Sequence, residues 1–270
     1  MKIIQNPPRR RKIHTLHGRA RYIDPDYATI LDGIGIALDS DWENYKAGEV
    51  VSDDEQTQVY RIPVDQGSVF FKRYLPSATR PYRYFFRTSR CAGEWFGLHR
   101  FNQLGIPAAV VIGFGEDRSY GNLQYGYTIT IGIENSTDMS KFAHRWSRMP
   151  GVQKHDLLRD IRSQIFHWLY QAHRCHLFHR DLHWRNILIQ TQQDGRYKVW
   201  FIDCPRAINR RIFWRHGQLV DLSALSRLAL TFLSRTERYR SLKMFLAETG
   251  EEKRCRKLFR EIEAHHKRHS

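Results

Sequence analysis

Three oxygen-bearing side chains stand out as able to do chemistry. The stretch His179-Arg-Asp-Leu-His-Trp-Arg-Asn186 carries Asp181 and Asn186, and Phe201-Ile-Asp203 follows at the end of an apolar run. The first stretch fits the catalytic-loop pattern H-R-D-L-x-x-x-N residue for residue. Such a set suits phosphoryl transfer, where charge spreads over the γ-phosphate oxygens and catalysis is mostly positioning and neutralisation. Asp181 would accept or orient the attacking hydroxyl. Asn186 and Asp203 would offer hard oxygen ligands to Mg²⁺, which favours carboxylates, phosphates and water.

Two upstream residues complete the set. In Ser68-Val-Phe-Phe-Lys-Arg-Tyr74 the two-residue period of a strand puts Phe70, Lys72 and Tyr74 on one face, so Lys72 sits among aromatics. A helix from about Cys91 to Leu104, closed by Gly105-Ile-Pro107, lines up Glu94, Leu98 and Phe101 at i, i+4 and i+7. A carboxylate in an apolar stripe wants a cation, and Lys72 is the upstream candidate. Lys72 would hold the α- and β-phosphates of ATP, with Glu94 holding Lys72. Two unit charges 4 Å apart attract by about 4 kcal/mol at an effective dielectric near 20, enough to hold one lysine rotamer. By itself, the lysine could equally snorkel and the glutamate lie solvated at the edge of its stripe.

The elements that must position these residues follow. Val59 to Val64 and Ser68 to Tyr74 flank Asp65-Gln-Gly67, which predicts a β-hairpin. Ala108 to Phe114 and Tyr125 to Ile133 are β-like, and Ile133 to Asp138 breaks the pattern like a linker. Asp156 to His173 has the spacing of a long core helix. Ile187 to Gln190 and Tyr197 to Ile202 make a second hairpin around Gln193-Asp-Gly195, and the chain from Asp221 onward reads as helical and basic. The predicted class is α+β and bilobed, with an N-terminal antiparallel sheet bearing one helix and a C-terminal, mostly helical lobe. The expected boundaries are a basic arm over 1–25, a β-rich lobe over 26–134 and a helical lobe over 135–270.

Composition bounds the reading. The 270 residues are 41% hydrophobic and 13% aromatic, enough for a core, and no run of 18 apolar residues suggests a membrane span. The basic stretch from Met1 to Arg21 lacks the apolar core of a secretory signal. Four scattered cysteines fit a reducing compartment better than a disulfide framework or a zinc site. The net charge of +16 favours polyanionic partners: nucleic acid, anionic lipid or phosphorylated glycan.

Other motifs have plainer readings. His179 reads as a structural histidine, Arg180 as a surface cation, and Asp221 as a partner of the catalytic-loop backbone. His183, Trp184 and Arg185 read as loop packing, with contact to an acceptor as the alternative. Pro7-Pro-Arg-Arg-Arg-Lys12 reads as a solvated tail, or else as a tether to an anionic membrane face. The run Arg80-Pro-Tyr-Arg-Tyr-Phe-Phe-Arg87 suits lipid headgroups better than a nucleic-acid platform. Lys253 to His269 predicts a basic amphipathic helix with Cys255, Leu258, Phe259 and Ile262 on its apolar side.

Together these residues resemble the bacterial lipopolysaccharide core kinases, which phosphorylate heptose or Kdo sugars and look like distant protein kinases. The resemblance rests on Val69-Phe-Phe-Lys72, Glu94 with Leu104-Gly-Ile-Pro107, His179 to Asn186, Phe201-Ile-Asp-Cys-Pro-Arg-Ala207 and Val220-Asp-Leu-Ser-Ala-Leu225. It implies ATP and Mg²⁺, a sugar hydroxyl of the core glycolipid as acceptor, and work on the cytoplasmic face of the inner membrane, reached through basic patches. No nucleic-acid partner is expected. Lys72, Asp181 and Asp203 take the roles of the family's lysine, catalytic aspartate and metal aspartate. No G-x-G-x-x-G lies upstream of Lys72; only Gly48 stands in Tyr45 to Glu49. Cys-Pro follows Asp203 where Phe-Gly is usual, and no A-P-E comes after, which argues against a regulated protein kinase. The alternatives are a protein or small-molecule kinase of the same fold and a pseudokinase scaffold.

Overall fold

The computed structural model describes residues 1–76, 79–80, 82–148 and 151–269, with side chains of 151–155 and 269 excepted. The chain forms two compact units: residues 1–102 with 109–134, and residues 103–108 with 135–270.

The first unit is built on one seven-stranded sheet. In chain order its elements are β1 (Lys2–Ile3), β2 (Gly18–Ile23), helix α1 (Ala28–Gly33), β3 (Glu49–Asp54), β4 (Thr57–Val64), β5 (Gly67–Tyr74), helix α2 (Arg90–Gln103), β6 (Val111–Ser119) and β7 (Asn122–Ile131). The strand order is β1-β2-β6-β7-β5-β4-β3, antiparallel except for the parallel β1–β2 pair. The predicted hairpin is β4–β5, with Val64 opposite Gly67. Alternation along β5 decides what faces what. Val69 and Phe71 enter a core with Leu31, Trp42, Ile62 and Ile129. Lys72 lies on the opposite face of β5 by the same period.

Two expectations change here. The basic arm expected over 1–25 supplies β1 and β2, with Ala20, Arg21 and Tyr22 buried, while Arg9, Arg10 and Lys12 of the stretch read as a solvated tail are exposed. Six ladder pairs between β2 and β6 satisfy the backbone of Gly18 to Ile23, a stretch that basic composition did not mark as a strand. The unit also has a second, short helix, α1, besides α2.

The second unit contains β8 (Ser136–Asp138), α3 (Met139–Ser147), α4 (Gly151–Arg174), β9 (Leu177–Phe178), β10 (Ile187–Thr191), β11 (Tyr197–Phe201), β12 (Ile208–Asn209), α5 (Trp214–Phe232), α6 (Arg235–Thr249) and α7 (Cys255–His269). The stretch expected as a linker contains β8, which pairs with β10. Asp138 then caps α3 by accepting from the Lys141 amide at 3.0 Å. Gln164 of α4 clamps β11, donating to the Tyr197 carbonyl and accepting from the Val199 amide. Cys255, Leu258, Phe259 and Ile262 are all buried, so the apolar side of α7 is spent inside this unit and not on a membrane. All four cysteines are free thiols.

Candidate active site

The predicted residues form two groups, one in each unit. In the first, Lys72 on β5 and Glu94 on α2 make an ion pair with Nζ and Oε2 3.4 Å apart. Their side chains are 13% and 4% exposed. The Tyr74 hydroxyl donates to the same carboxylate oxygen, and the Thr128 hydroxyl lies 3.5 Å from it. The Lys72 ammonium also sits 5.2 Å from the centre of the Tyr74 ring. Strand period and helix period therefore meet in one contact, since Glu94, Leu98 and Phe101 are all buried. Gly105, at φ 71°, turns the chain after α2, a conformation that costs glycine little.

Gly48 has a packing reason to be glycine. A Cβ there would fall 2.2 Å from the Arg61 carbonyl oxygen. It stands before β3, outside the β3–β4 turn.

In the second unit the catalytic-loop pattern runs between β9 and β10. The Asn186 side-chain amide donates to the Asp181 carbonyl at 2.7 Å, and lies 3.4 Å from Asp181 Oδ2 and 3.5 Å from the Asp203 carbonyl. Thus Asp181, Asn186 and Asp203 come together. Asp203 follows β11, and its backbone is left-handed at φ 53°. The Ile202 amide donates to the Asn186 carbonyl, tying the two loops.

Asp221 on α5 is the anchor beneath. Its carboxylate, fully buried, accepts from the His179 amide at 3.1 Å and the Arg180 amide at 2.6 Å. His173 of α4 contacts it at 2.9 Å. This matches the expectation that Asp221 holds the loop backbone, and it explains how Arg180 sustains a φ of 62°. His179 has its Nε2 3.0 Å from the Ile202 carbonyl, and burial pushes its pKa below the usual histidine range. Trp184 packs as expected: its indole donates to the Leu225 carbonyl and its ring stacks on Phe232. His183 does more than fill the loop. Its Nε2 lies 3.5 Å from Asp181 Oδ1, and burial lowers its pKa. Its place two residues after Asp181 was the available signal.

The donor set fits a magnesium ion. One carboxylate and one amide oxygen, on adjacent loops, leave the remaining positions for phosphate oxygens and water. Among the described residues no cluster of three His, Cys, Asp or Glu could hold a metal by itself. A cavity of about 90 Å³ opens elsewhere in this unit, with Leu158, Ile165, Leu222, Leu225, Phe259 and Ile262 in its walls. None of the five candidate residues lines it.

Comparisons with known proteins bear on this arrangement. The model of the lipopolysaccharide kinase (Kdo/WaaP) family matches residues 54–266. Lipopolysaccharide core heptose(I) kinase WaaP of Pseudomonas aeruginosa is 24% identical over 156 residues, covering 56% of this chain and 58% of that protein. The matched part is thus less than two thirds of that relative. A solved structure described as WaaP in complex with acyl carrier protein superposes with a TM-score of 0.64 at 21% identity, over 88% of this chain and 98% of that one. The fold is accordingly the protein-kinase-like one that the sequence predicts.

Proposed function

The chain belongs to the lipopolysaccharide kinase (Kdo/WaaP) family, and from that membership we propose that it transfers the γ-phosphoryl group of ATP to a sugar hydroxyl, of heptose or Kdo, in the lipopolysaccharide inner core. One observation carries the reading: Asp181 is held by Asn186 beside Asp203, on a loop whose backbone Asp221 pins. A carboxylate on a backbone fixed in that way, with the Asn186 amide 3.4 Å from its Oδ2, is set to take a hydrogen bond from an incoming alcohol.

In the proposed step the acceptor oxygen forms a bond to the γ-phosphorus while the bond to the β-phosphate bridging oxygen breaks. ADP leaves, and the hydroxyl proton passes to Asp181 and then to water. Asp181 orients the oxygen and takes the proton. Lys72, steered by Glu94, binds the α- and β-phosphates. Asn186 and Asp203 would hold Mg²⁺, which when bound neutralises charge on the phosphate oxygens. The proposed location is the cytoplasmic face of the inner membrane, where a glycolipid acceptor presents its head. An acyl carrier protein is a further proposed partner, supported by the complex in which the similar structure was solved.

The test uses purified protein, ATP, Mg²⁺ and dephosphorylated core glycolipid. Phosphate transfer to the glycolipid is expected, with kcat reduced at least about a hundredfold in Asp181→Asn. An unchanged rate in that variant rejects the role of Asp181. Transfer to proteins but not to glycolipid favours the protein-kinase alternative, and no turnover with any acceptor favours a scaffold.

A further inference from the structure

The first unit carries an exposed aromatic surface that none of the chemistry above uses. Tyr82, Phe85, Phe86, Tyr120 and Leu16 are respectively 74%, 47%, 57%, 79% and 51% exposed. They come from three separated segments that the fold joins. The Phe86 amide donates to the Gly121 carbonyl, and the Gly121 amide donates to the Leu16 carbonyl. The Phe86 ring lies over Gly121, where a Cβ would meet it at 3.1 Å. The Phe85 and Phe86 rings touch edge to face at 4.5 Å, and the His17 and Tyr120 rings lie tilted at 4.8 Å.

Beneath this surface is a buried clamp. Arg118 and Glu116 form an ion pair at 3.3 Å, both side chains fully enclosed. Arg118 also donates to the carbonyls of Tyr84, Arg87 and Gly121. Glu116 accepts from the His14 amide and the Ser89 hydroxyl. One charged pair thereby organises all three segments. Phe86 and Tyr120 both have a φ of 47°, a left-handed conformation that bulky residues rarely adopt. Tyr120 stands in the two-residue β6–β7 turn, where asparagine or glycine is the favoured choice. The fold thus maintains two strained aromatics and leaves both rings in water.

We infer that this surface docks on an anionic lipid bilayer, with the aromatic side chains entering the headgroup region. Charge complementarity selects the partner: Arg80, Arg83 and Arg87 are exposed on the same segment, in a chain of net charge +16. Exposed aromatic and aliphatic side chains with arginines on the same segment suit an interface that is apolar below and negatively charged above. Ile212 and Phe213 are also exposed, but as two neighbours on one segment of the other unit. The inference builds on the glycolipid reading, since docking would bring the kinase to its acceptor. Lipid binding is nevertheless measured without acceptor, so either can fail alone.

The experiment is co-sedimentation of the full chain with vesicles of phosphatidylethanolamine containing a quarter phosphatidylglycerol, beside vesicles of phosphatidylethanolamine alone. The parent protein is expected on the anionic vesicles. A triple variant, Phe85→Ser, Phe86→Asn and Tyr120→Asn, is expected to partition at least about tenfold more weakly, while keeping all charges. Its melting temperature should not fall, because asparagine tolerates left-handed backbone better than phenylalanine or tyrosine. If the triple variant unfolds, Tyr120→Asn alone carries the test and must show a weaker partition. Equal partition of folded variant and parent overturns the inference, as does loss caused by Ile212→Ser and Phe213→Asn instead. Failure of the parent to bind, or displacement of vesicles by a short single-stranded oligonucleotide, also overturns it.

Discussion

At the scale of single residues, the Lys72–Glu94 pair is asymmetric. Glu94 has the Tyr74 and Thr128 hydroxyls as well as Lys72, all on one carboxylate oxygen. Removing the carboxylate leaves a largely enclosed ammonium, and breaking such a pair from one side costs about 3–5 kcal/mol. Removing the ammonium leaves a carboxylate still bonded to two hydroxyls. Glu94→Ala is therefore expected to lower stability by about that amount, and Lys72→Met by clearly less. Both should lose phosphate transfer. Denaturant midpoints and initial rates of the two variants check this, and a larger stability loss in Lys72→Met would contradict the account. Neither partner's role was legible separately. Lys72 could have snorkelled and Glu94 could have been solvated, because strand and helix periods state which face a residue takes and not what it meets.

At the scale of elements, α5 pins the loop from His179 to Asn186 from beneath. The two oxygens of Asp221 divide the His179 and Arg180 amides between them. Asp221→Ala orphans the buried His179 amide, which costs about 1–3 kcal/mol, and the part-buried Arg180 amide, and frees Arg180 from its left-handed backbone. The expected outcome is a lower melting temperature and a kcat at least about tenfold lower, with KM for ATP nearly unchanged, because Lys72 is untouched. A KM effect with unaltered kcat would place Asp221 in binding. Asp221 was read in the sequence as a partner of the His179–Asn186 loop backbone, although it lies inside α5 and not at the start of a helix; His173, its third contact, was not foreseen. That histidine lies inside the long α4 pattern as an ordinary core position, and only packing brings it to the carboxylate at 2.9 Å.

At the scale of the whole molecule, several histidines are held neutral by burial. His14 is pushed down to about 4, and His99, His179 and His183 are also lowered. For each, the folded chain resists a proton that the unfolded chain accepts near pH 6.5. Their stability contribution is complete above about pH 6.5 and is lost as the pH falls toward the depressed values. The denaturation midpoint is therefore expected to drop from pH 7.5 to pH 5, a range in which ordinary carboxylates stay ionised. A flat profile over that range would show that these histidines are not protected. The effect reaches both units, since His14 lies in the first, and His179 and His183 in the second.

The chemistry on offer was already legible in the order of the residues. The loop pattern supplied Asp181 and Asn186, while the two hairpins, the long α4 and the apolar side of α7 follow from local periodicity and turn residues, which act between near neighbours. Which distant groups meet depended on folding. It drew the basic N-terminal residues into β1 and β2, made a strand of the presumed linker at β8, put His183 against Asp181, and assembled one surface from Leu16, Phe86 and Tyr120. The physical reason is that composition registers solvation averaged along a segment, whereas a ladder hydrogen bond or buried ion pair depends on partners a hundred residues away, as the His14 amide does on Glu116.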